Sequence, residues 1–192
     1  DLLRDVKDGK VIVCSNQWRS LWIDIEVTKD IAPGNYEIEV RLKKEGGVVA
    51  SAKQRLTVIG VELPKQKIMH TEWMHADCLA DYYHVDVFSE EHWKILENYF
   101  KEYVKRGCNM MLTPLFTSPL DTAVGLERTT TQLIKVEVVK GEYRFDFSEL
   151  KRWIDLCKKC GIEYYEMSHL FSQWGAKYAP KVVAEVEGKE KK

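Results

Sequence analysis

Residues 89–115, SEEHWKILENYFKEYVKRGCNMMLTPL, decide how this chain is built. Ser89 is a good helix N-cap, and Glu90 and Glu91 in the first turn suit the positive end of a helix. Trp93, Leu96, Phe100, Tyr103 and Val104 then fall on one stripe at helical spacing. Lys105 and Arg106 occupy the last turn, Gly107 supplies the residue that turns the chain out, and Asn109 to Leu115 is a short apolar run of buried-strand character. The order returns over residues 148–167, SELKRWIDLCKKCGIEYYEM. Here Ser148 is the cap, Leu150, Trp153, Ile154 and Cys157 are the stripe, Lys158 and Lys159 are the basic turn, Gly161 is the stop, and Ile162 to Met167 is the strand. Helix, basic turn, glycine and strand, repeated, imply parallel strands joined by crossovers.

A barrel and a doubly wound sheet both satisfy that rule, and loop lengths choose between them. The turns from helix to strand are minimal, whereas the loops from strand to helix, 74–88 and 116–147, are long and rich in polar and aromatic residues. In a (β/α)8 barrel those long loops gather on one face, where active sites sit. A doubly wound nucleotide-binding sheet needs a glycine-rich turn after its first strand, and His70-Thr71-Glu72-Trp73-Met74-His75 offers none. With Lys67 to Trp73 read as a first strand, residues 63–192 contain about three of the eight units of a barrel, with a β-hairpin inserted near 130–147 around Lys140-Gly141. The alternation of Val182 to Val186 reads as half of a further hairpin.

Residues 1–62 read differently. Leu21, Ile23, Ile25 and Val27 alternate with polar neighbours, as do Tyr36, Ile38, Val40 and Leu42, and Gln54 to Val61 supplies another strand. Ala32-Pro33-Gly34-Asn35 and Glu45-Gly46-Gly47 make the reversals. This is expected to be part of an immunoglobulin-like β-sandwich, short of the roughly seven strands a complete one needs. Leu63-Pro64-Lys65 is the linker. The expected fold class is therefore α/β plus β: a partial sandwich followed by an incomplete barrel, with both ends of the sequence reading as cut.

Composition excludes several functions. A chain of 192 residues with 45% hydrophobic content can bury a core, and 29 basic against 30 acidic residues leave no basic patch for nucleic acid. The longest apolar run, near Asn109 to Phe116, is far shorter than the ~20 residues a membrane span requires, and Asp-Leu-Leu-Arg-Asp is not a signal peptide. The 5 cysteines have no disulfide spacing, read as free thiols, and lean toward a reducing compartment. No cofactor fingerprint is present. Cys157-x-x-Cys160 lies on a helix that already uses Cys157 for its stripe, so its reading is structural, with redox chemistry as the weaker one.

The residues suited to chemistry cluster in the three strand-to-helix loops. Glu72 and Asp77 can accept hydrogen bonds from hydroxyls, while Trp73, Tyr82 and Tyr83 offer flat faces to the C–H side of a pyranose. His75 shares that loop. His70, Glu72, His75 and His169 could in principle serve a metal, although His-x-Glu-x-x-His is not the one-turn spacing of a helical zinc site. In the second loop Thr113, Asp121, Glu127 and Arg128 stand out, and an Arg128–Asp121 pair reads equally as a loop pin and as a substrate contact. In the third, Glu166, His169 and Trp174, with Ser168 and Gln173, collect at a strand end. Whether Glu166 points inward is left open, but Tyr165 and Met167 must then point the other way.

Those residues carry a resemblance. His70-Thr-Glu-Trp-Met-His-Ala-Asp-Cys-Leu-Ala-Asp-Tyr-Tyr-His-Val, Thr113-Pro-Leu-Phe-Thr-Ser-Pro-Leu-Asp-Thr, Phe145-Asp-Phe-Ser-Glu-Leu-Lys-Arg-Trp and Met167-Ser-His-Leu-Phe-Ser-Gln-Trp-Gly-Ala-Lys resemble the bacterial group called domain of unknown function 4091. Asn16-Gln-Trp-Arg-Ser-Leu-Trp and Ala32-Pro-Gly-Asn-Tyr extend the likeness forward. That group is similar to glycoside hydrolase family 123, the β-N-acetylgalactosaminidases. The resemblance implies a carbohydrate substrate and a retaining mechanism in which the 2-acetamido oxygen attacks C1, an Asp orients that amide and an adjacent Glu protonates the leaving oxygen. No Asp-Glu dipeptide occurs in the sequence, so neither role is carried onto a residue here. The chain is expected to line a sugar site through Glu72, Trp73, His75, Asp77, Tyr82, Thr113, Arg128, Glu166, His169 and Trp174 without hydrolysing a glycoside alone. A non-catalytic glycan-binding or interaction protein is the competing reading. Three barrel strands would also leave an uncovered edge, which predicts self-association, completion by another chain, or membership of a larger protein.

Overall fold

The computed structural model describes residues 6–119, 126–171 and 175–192. Two compact units divide the chain, Asp1–Lys65 and Gln66–Lys192.

In the first unit β1 (Gly34–Lys44) pairs antiparallel with β2 (Gly47–Val58). Glu45 and Gly46 at the turn have φ of 51 and 85°, the doubly positive pair that matches a two-residue loop to right-twisted strands. β2 is continuous from Gly47 to Val58, so residues 54–58 of the expected strand over Gln54–Val61 are its last part and residues 59–61 lie beyond it. The expected strand over Leu21–Val27 enters no ladder among the described residues. Its apolar side chains, Leu21, Ile23, Ile25 and Val27, are each at least 43% exposed. Alternating side chains make a stable strand only when a ladder partner and a covering layer come with them, and here the hairpin pairs within itself.

The second unit begins with a segment that also escapes a ladder. Lys67–Trp73, expected as a strand, is tied to the start of β3 (Met110–Thr113) by backbone and side-chain bonds instead of a ladder. The Asn109 and Met110 amides both donate to His70 O at 3.1 Å, while the Asn109 carboxamide accepts from the His70 amide at 2.8 Å and donates to Ile68 O at 3.1 Å. One asparagine side chain thus takes the place of ladder rungs. α1 (Ala76–Tyr83) follows where a loop was expected. Its signals are weak, because His75 stands at the N-cap without a side-chain cap and the helix is short, so its buried Ala76, Leu79 and Ala80 hold it rather than propensity.

α2 (Glu90–Lys105) and α3 (Ser148–Cys160) match the two stripes. Ser89 caps α2 by accepting from the His92 amide at 3.2 Å. At α3 the cap differs from expectation: Asp146 accepts from the Ser148 amide at 2.8 Å and the Ser148 hydroxyl at 3.0 Å, so the carboxylate two residues upstream does the capping. Both helices close alike. Gly107 donates to Val104 O and Cys108 to Tyr103 O, just as Gly161 donates to Lys158 O and Ile162 to Cys157 O. With φ of 89° at Gly107 and 98° at Gly161, these are paired Schellman closures that release the chain into the next strand.

β3 pairs in parallel with β6 (Tyr164–Met167), with α3 in the connection. Between them, β4 (Lys135–Val139) and β5 (Glu142–Asp146) form the expected hairpin about Lys140-Gly141. β4 starts later than expected because the Leu133 and Ile134 amides bond to Pro114 O and Leu115 O, tying that stretch to the end of β3. β7 (Ala184–Val186) and β8 (Lys189–Lys191) complete the tail hairpin, and β7 runs parallel to β4, giving a sheet in the order β5-β4-β7-β8.

The core joins α1, α2 and α3 to β3. Leu96, Phe100, Met111, Leu133, Trp153 and Cys157 are fully buried. Trp153 anchors it, edge-on to Phe100 at 5.0 Å and to Trp93 at 6.3 Å, the arrangement aromatic quadrupoles favour. Cys157 belongs to this core, and burial pushes its thiol well above the ordinary range, which fits the structural reading of Cys157-x-x-Cys160.

Candidate functional site

Register settles which way Glu166 points. Met111 lies opposite Tyr165 and Leu112 opposite Glu166, and Met111 and Tyr165 both pack in the helix-side core. Leu112 and Glu166 therefore face away from the helices. On that side the Trp73 indole N–H donates to Glu166 Oε2 at 3.0 Å, joining residues 93 positions apart. The His169 ring stands edge-on to Trp73, with centroids 5.5 Å apart and planes at 75°. Its Nδ1 is buried and has no hydrogen-bond partner among the described residues. A carboxylate held by one indole N–H keeps its second oxygen to accept from a hydroxyl, and Trp73, 48% exposed, presents a ring face. Three of the expected residues thus meet at the carboxyl end of a parallel strand.

Trp73 is held in place from α2. The Tyr103 hydroxyl accepts from the Glu72 amide at 2.8 Å and lies 2.6 Å from Met110 O and 3.0 Å from Glu72 O, either of which can take its proton. Burial raises the Tyr103 pKa, so the phenol stays protonated and available as a donor. Sequence reasoning placed Tyr103 on the helical stripe and missed this second task, because a stripe position carries no mark of what its hydroxyl touches. Beneath it Cys108 is buried, with Sγ 3.9 Å from His70 Nδ1, and burial, with the Glu72 carboxylate nearby, pushes its thiol up.

Asp77 and Arg128 are brought together as a pair. Arg128 Nε and Nη2 donate to the two Asp77 carboxylate oxygens at 2.7 and 3.0 Å, with the side chains 11% and 6% exposed. Of the two readings open for Arg128, this bidentate geometry favours a pin between α1 and the second loop. The partner is Asp77, and the expected Asp121 lies outside the described residues. Thr129 adds a bond to Asp81 at 2.8 Å, and Lys181 donates to Arg128 O at 2.8 Å.

The other expected residues are more dispersed. Glu72 has an exposed carboxylate 3.3 Å from His70 Nε2. His75 is half-buried at the start of α1. Tyr82 is exposed and stacks edge-on against Tyr83 at 5.0 Å. Thr113 is fully buried, and its hydroxyl donates to Met111 O at 3.2 Å. Trp174 and Gln173 lie outside the described residues. Ser168, noted in the sequence only as a neighbour, is buried at the strand end, donating its amide to Thr113 O at 2.9 Å. Among the described residues no group of three or more His, Cys, Asp and Glu is placed to hold a metal ion, and no helix is long and apolar enough to cross a membrane.

A separate groove lies elsewhere. About 950 Å³ in volume, it is lined from the four-stranded sheet by Val136, Glu137, Arg144, Phe145 and Glu185, and by Phe88. None of the expected site residues among those described lines it. The strand-end cluster remains the better candidate, since ligands of parallel β/α folds bind outside the carboxyl ends of the strands. No curated protein matches the sequence. The family model of the glycoside hydrolase 123 catalytic domain, however, matches residues 73–192, beginning at the indole that binds Glu166. The chain therefore belongs to glycoside hydrolase family 123.

Proposed function

We propose that Trp73, Glu166 and His169 form the sugar-contacting wall of a glycosidase cleft that acts on 2-acetamido sugars. The observation that carries the reading is the 3.0 Å Trp73–Glu166 hydrogen bond with His169 edge-on to the same indole. It supplies an apolar ring face, a carboxylate acceptor and an imidazole in one place, the combination pyranose recognition needs. The architecture offered with it is a (β/α)8 barrel opening, in which Lys67–Trp73, β3 and β6 are the first three strands, preceded by part of a β-sandwich. The chemistry offered is retaining and substrate-assisted: the acetamido oxygen attacks C1, an Asp orients the amide and a neighbouring Glu protonates the leaving oxygen. No Asp-Glu dipeptide occurs in the 192 residues, so these residues supply binding and orientation rather than the acid. That same absence favours a second reading, a glycan-binding protein without turnover.

Titration calorimetry with N-acetylgalactosamine and galactose, beside hydrolysis of an aryl 2-acetamido-β-galactoside, tests the reading. The chain is expected to bind the acetamido sugar in preference, to lose about tenfold in affinity or more on Trp73→Ala or Glu166→Gln, and to release no aryl alcohol. Equal affinity for both sugars, or binding that ignores both substitutions, would remove the cleft from these residues. Turnover by the 192 residues alone would show that the acid lies among them.

A further inference from the structure

The four-stranded sheet has two chemically opposite faces, and its register shows them row by row. Phe145, Val136, Ala184 and Lys191 are lateral partners across β5, β4, β7 and β8, and so are Tyr143, Val138, Val186 and Lys189. Between these rows, on the reverse face, lie Arg144, Glu137, Glu185 and Glu190. Residues in register share a face and alternate residues leave it. One face is thus aromatic along β5, aliphatic across the middle, where Val136 is buried, and cationic along β8, while the reverse carries three carboxylates in line; residues of both faces line the groove.

The aromatic edge is a row of exposed rings. Tyr143 and Phe145 have ring centroids 6.5 Å apart and planes within 13° of each other, and Phe147 continues the row at 6.4 Å and 37°. All three are exposed, at 68%, 52% and 53%. The planes of Tyr143 and Phe145 are nearly parallel, and exposed aromatic rings repeated along a strand at this spacing are groups on which successive pyranose C–H faces stack. Lys189 and Lys191, three strand spacings or about 14 Å across the sheet, are exposed and form no ion pair among the described residues. The face therefore combines ring stacking at one edge with unneutralised positive charge at the other.

We propose that this face is a second glycan-binding surface, separate from the Trp73–Glu166–His169 cleft, that takes an oligosaccharide bearing anionic groups. The sugar rings stack on Tyr143, Phe145 and Phe147, and carboxylate or sulfate groups meet Lys189 and Lys191. Charge decides the occupant. A neutral glycan leaves the two ammonium groups unused, and a second copy of the same face brings like charge against them. The carboxylate row repels an anion from the reverse face, so the ligand is confined to one side. Nothing in this inference depends on the cleft being catalytic.

Calorimetry on the whole chain tests it, with a tetrameric galacturonate, a sulfated galacto-oligosaccharide and the neutral galacto-oligosaccharide as probes. At least one acidic probe is expected to bind about tenfold more tightly than the neutral one, and to weaken as salt rises from about 20 to about 200 mM. Tyr143→Ala with Phe145→Ala is expected to weaken binding about tenfold or more, and Lys189→Gln with Lys191→Gln to flatten the salt dependence. Because these side chains are exposed, unchanged circular dichroism and melting will show that the variants fold. Trp73→Ala is expected to leave this binding unchanged while abolishing that of the acetamido sugar, so the two sites fail separately. No binding of either acidic probe, equal binding of the neutral one, or indifference to the variants would overturn the proposal. So would binding only to phosphatidylserine vesicles, or a dimer in sedimentation that the same variants dissolve.

Discussion

Replacing Arg128 with methionine removes one side of the pair that fastens the second loop to α1. Arg128 and Asp77 are joined by hydrogen bonds of 2.7 and 3.0 Å, and their side chains are only 11% and 6% exposed. Methionine keeps much of the stem and its packing but leaves the Asp77 carboxylate buried without its cation. Hydrogen bonds to charged groups contribute about 1.5–3 kcal/mol each, and breaking one side of a buried pair costs about 3–5 kcal/mol. Residual exposure of the guanidinium argues for the lower end, about 3 kcal/mol, or a fall of roughly 10 °C in melting temperature for a unit of this size. Urea unfolding followed by tryptophan fluorescence measures it, with Asp77→Asn and the double variant completing a cycle. A coupling of about 2 kcal/mol or more is expected, and Arg128→Met with Asp77→Leu should recover much of the loss because no buried charge is left unpaired. Single substitutions that cost under about 1 kcal/mol, or that add without coupling, would refute the pin.

Two further predictions follow from buried polar side chains. His92 is fully buried; its Nδ1 accepts from the Phe88 amide at 2.9 Å, so Nε2 carries the proton toward Ala76 O at 3.1 Å. Burial depresses its pKa, so above the unfolded value of about 6.5 both states are neutral and stability does not change. Below it the unfolded chain takes a proton that the folded chain resists, and stability is lost as pH falls toward the folded value. Melting temperatures from about pH 8 to pH 5 should therefore fall only on the acid side, and less steeply in His92→Gln; identical curves for the two proteins would contradict the assignment. Tyr103→Phe removes one hydroxyl from three backbone partners and should cost about 1–3 kcal/mol. It should also shift Trp73 emission and weaken acetamido-sugar binding, whereas a purely structural loss would lower stability and leave the affinity of the folded fraction unchanged.

How far the sequence could be read depended on whether a feature is local. Stripe, cap and glycine stop are local, and α2, α3 and their closures appear where the pattern puts them. The β4–β5 hairpin is equally local, since Lys140-Gly141 names its own turn. Strand status is not local. Leu21–Val27 and Lys67–Trp73 carry strand patterns, yet a ladder requires a neighbour, and in the second case Asn109 claims the groups that a rung would use. α1 was hidden for the opposite reason, because burial of Ala76, Leu79 and Ala80 holds a helix that its cap does not announce. At the candidate site, residue types singled out Trp73, Glu166 and His169, which the structure brings together. The pairing of Asp77 with Arg128 spans 51 positions, and no spacing rule reaches that far.

The position of the site rests on a chain of contacts that begins in the core. Lys67–Trp73 has no ladder of its own, so its depth relative to β3 is set by Asn109 at one end and by the Tyr103 hydroxyl at the other. Tyr103 is carried by α2, whose stripe packs through Trp93, Leu96 and Phe100 against Trp153 of α3. α3 in turn ends at Gly161 and delivers β6, on which Glu166 stands. Trp73 and Glu166 thus reach their 3.0 Å contact from opposite directions, both referenced to the same α2–α3 packing. A shift between the two helices would move the indole and the carboxylate by different routes and open the contact. On this argument a core substitution such as Trp153→Phe would be read in sugar affinity before it is read in secondary structure.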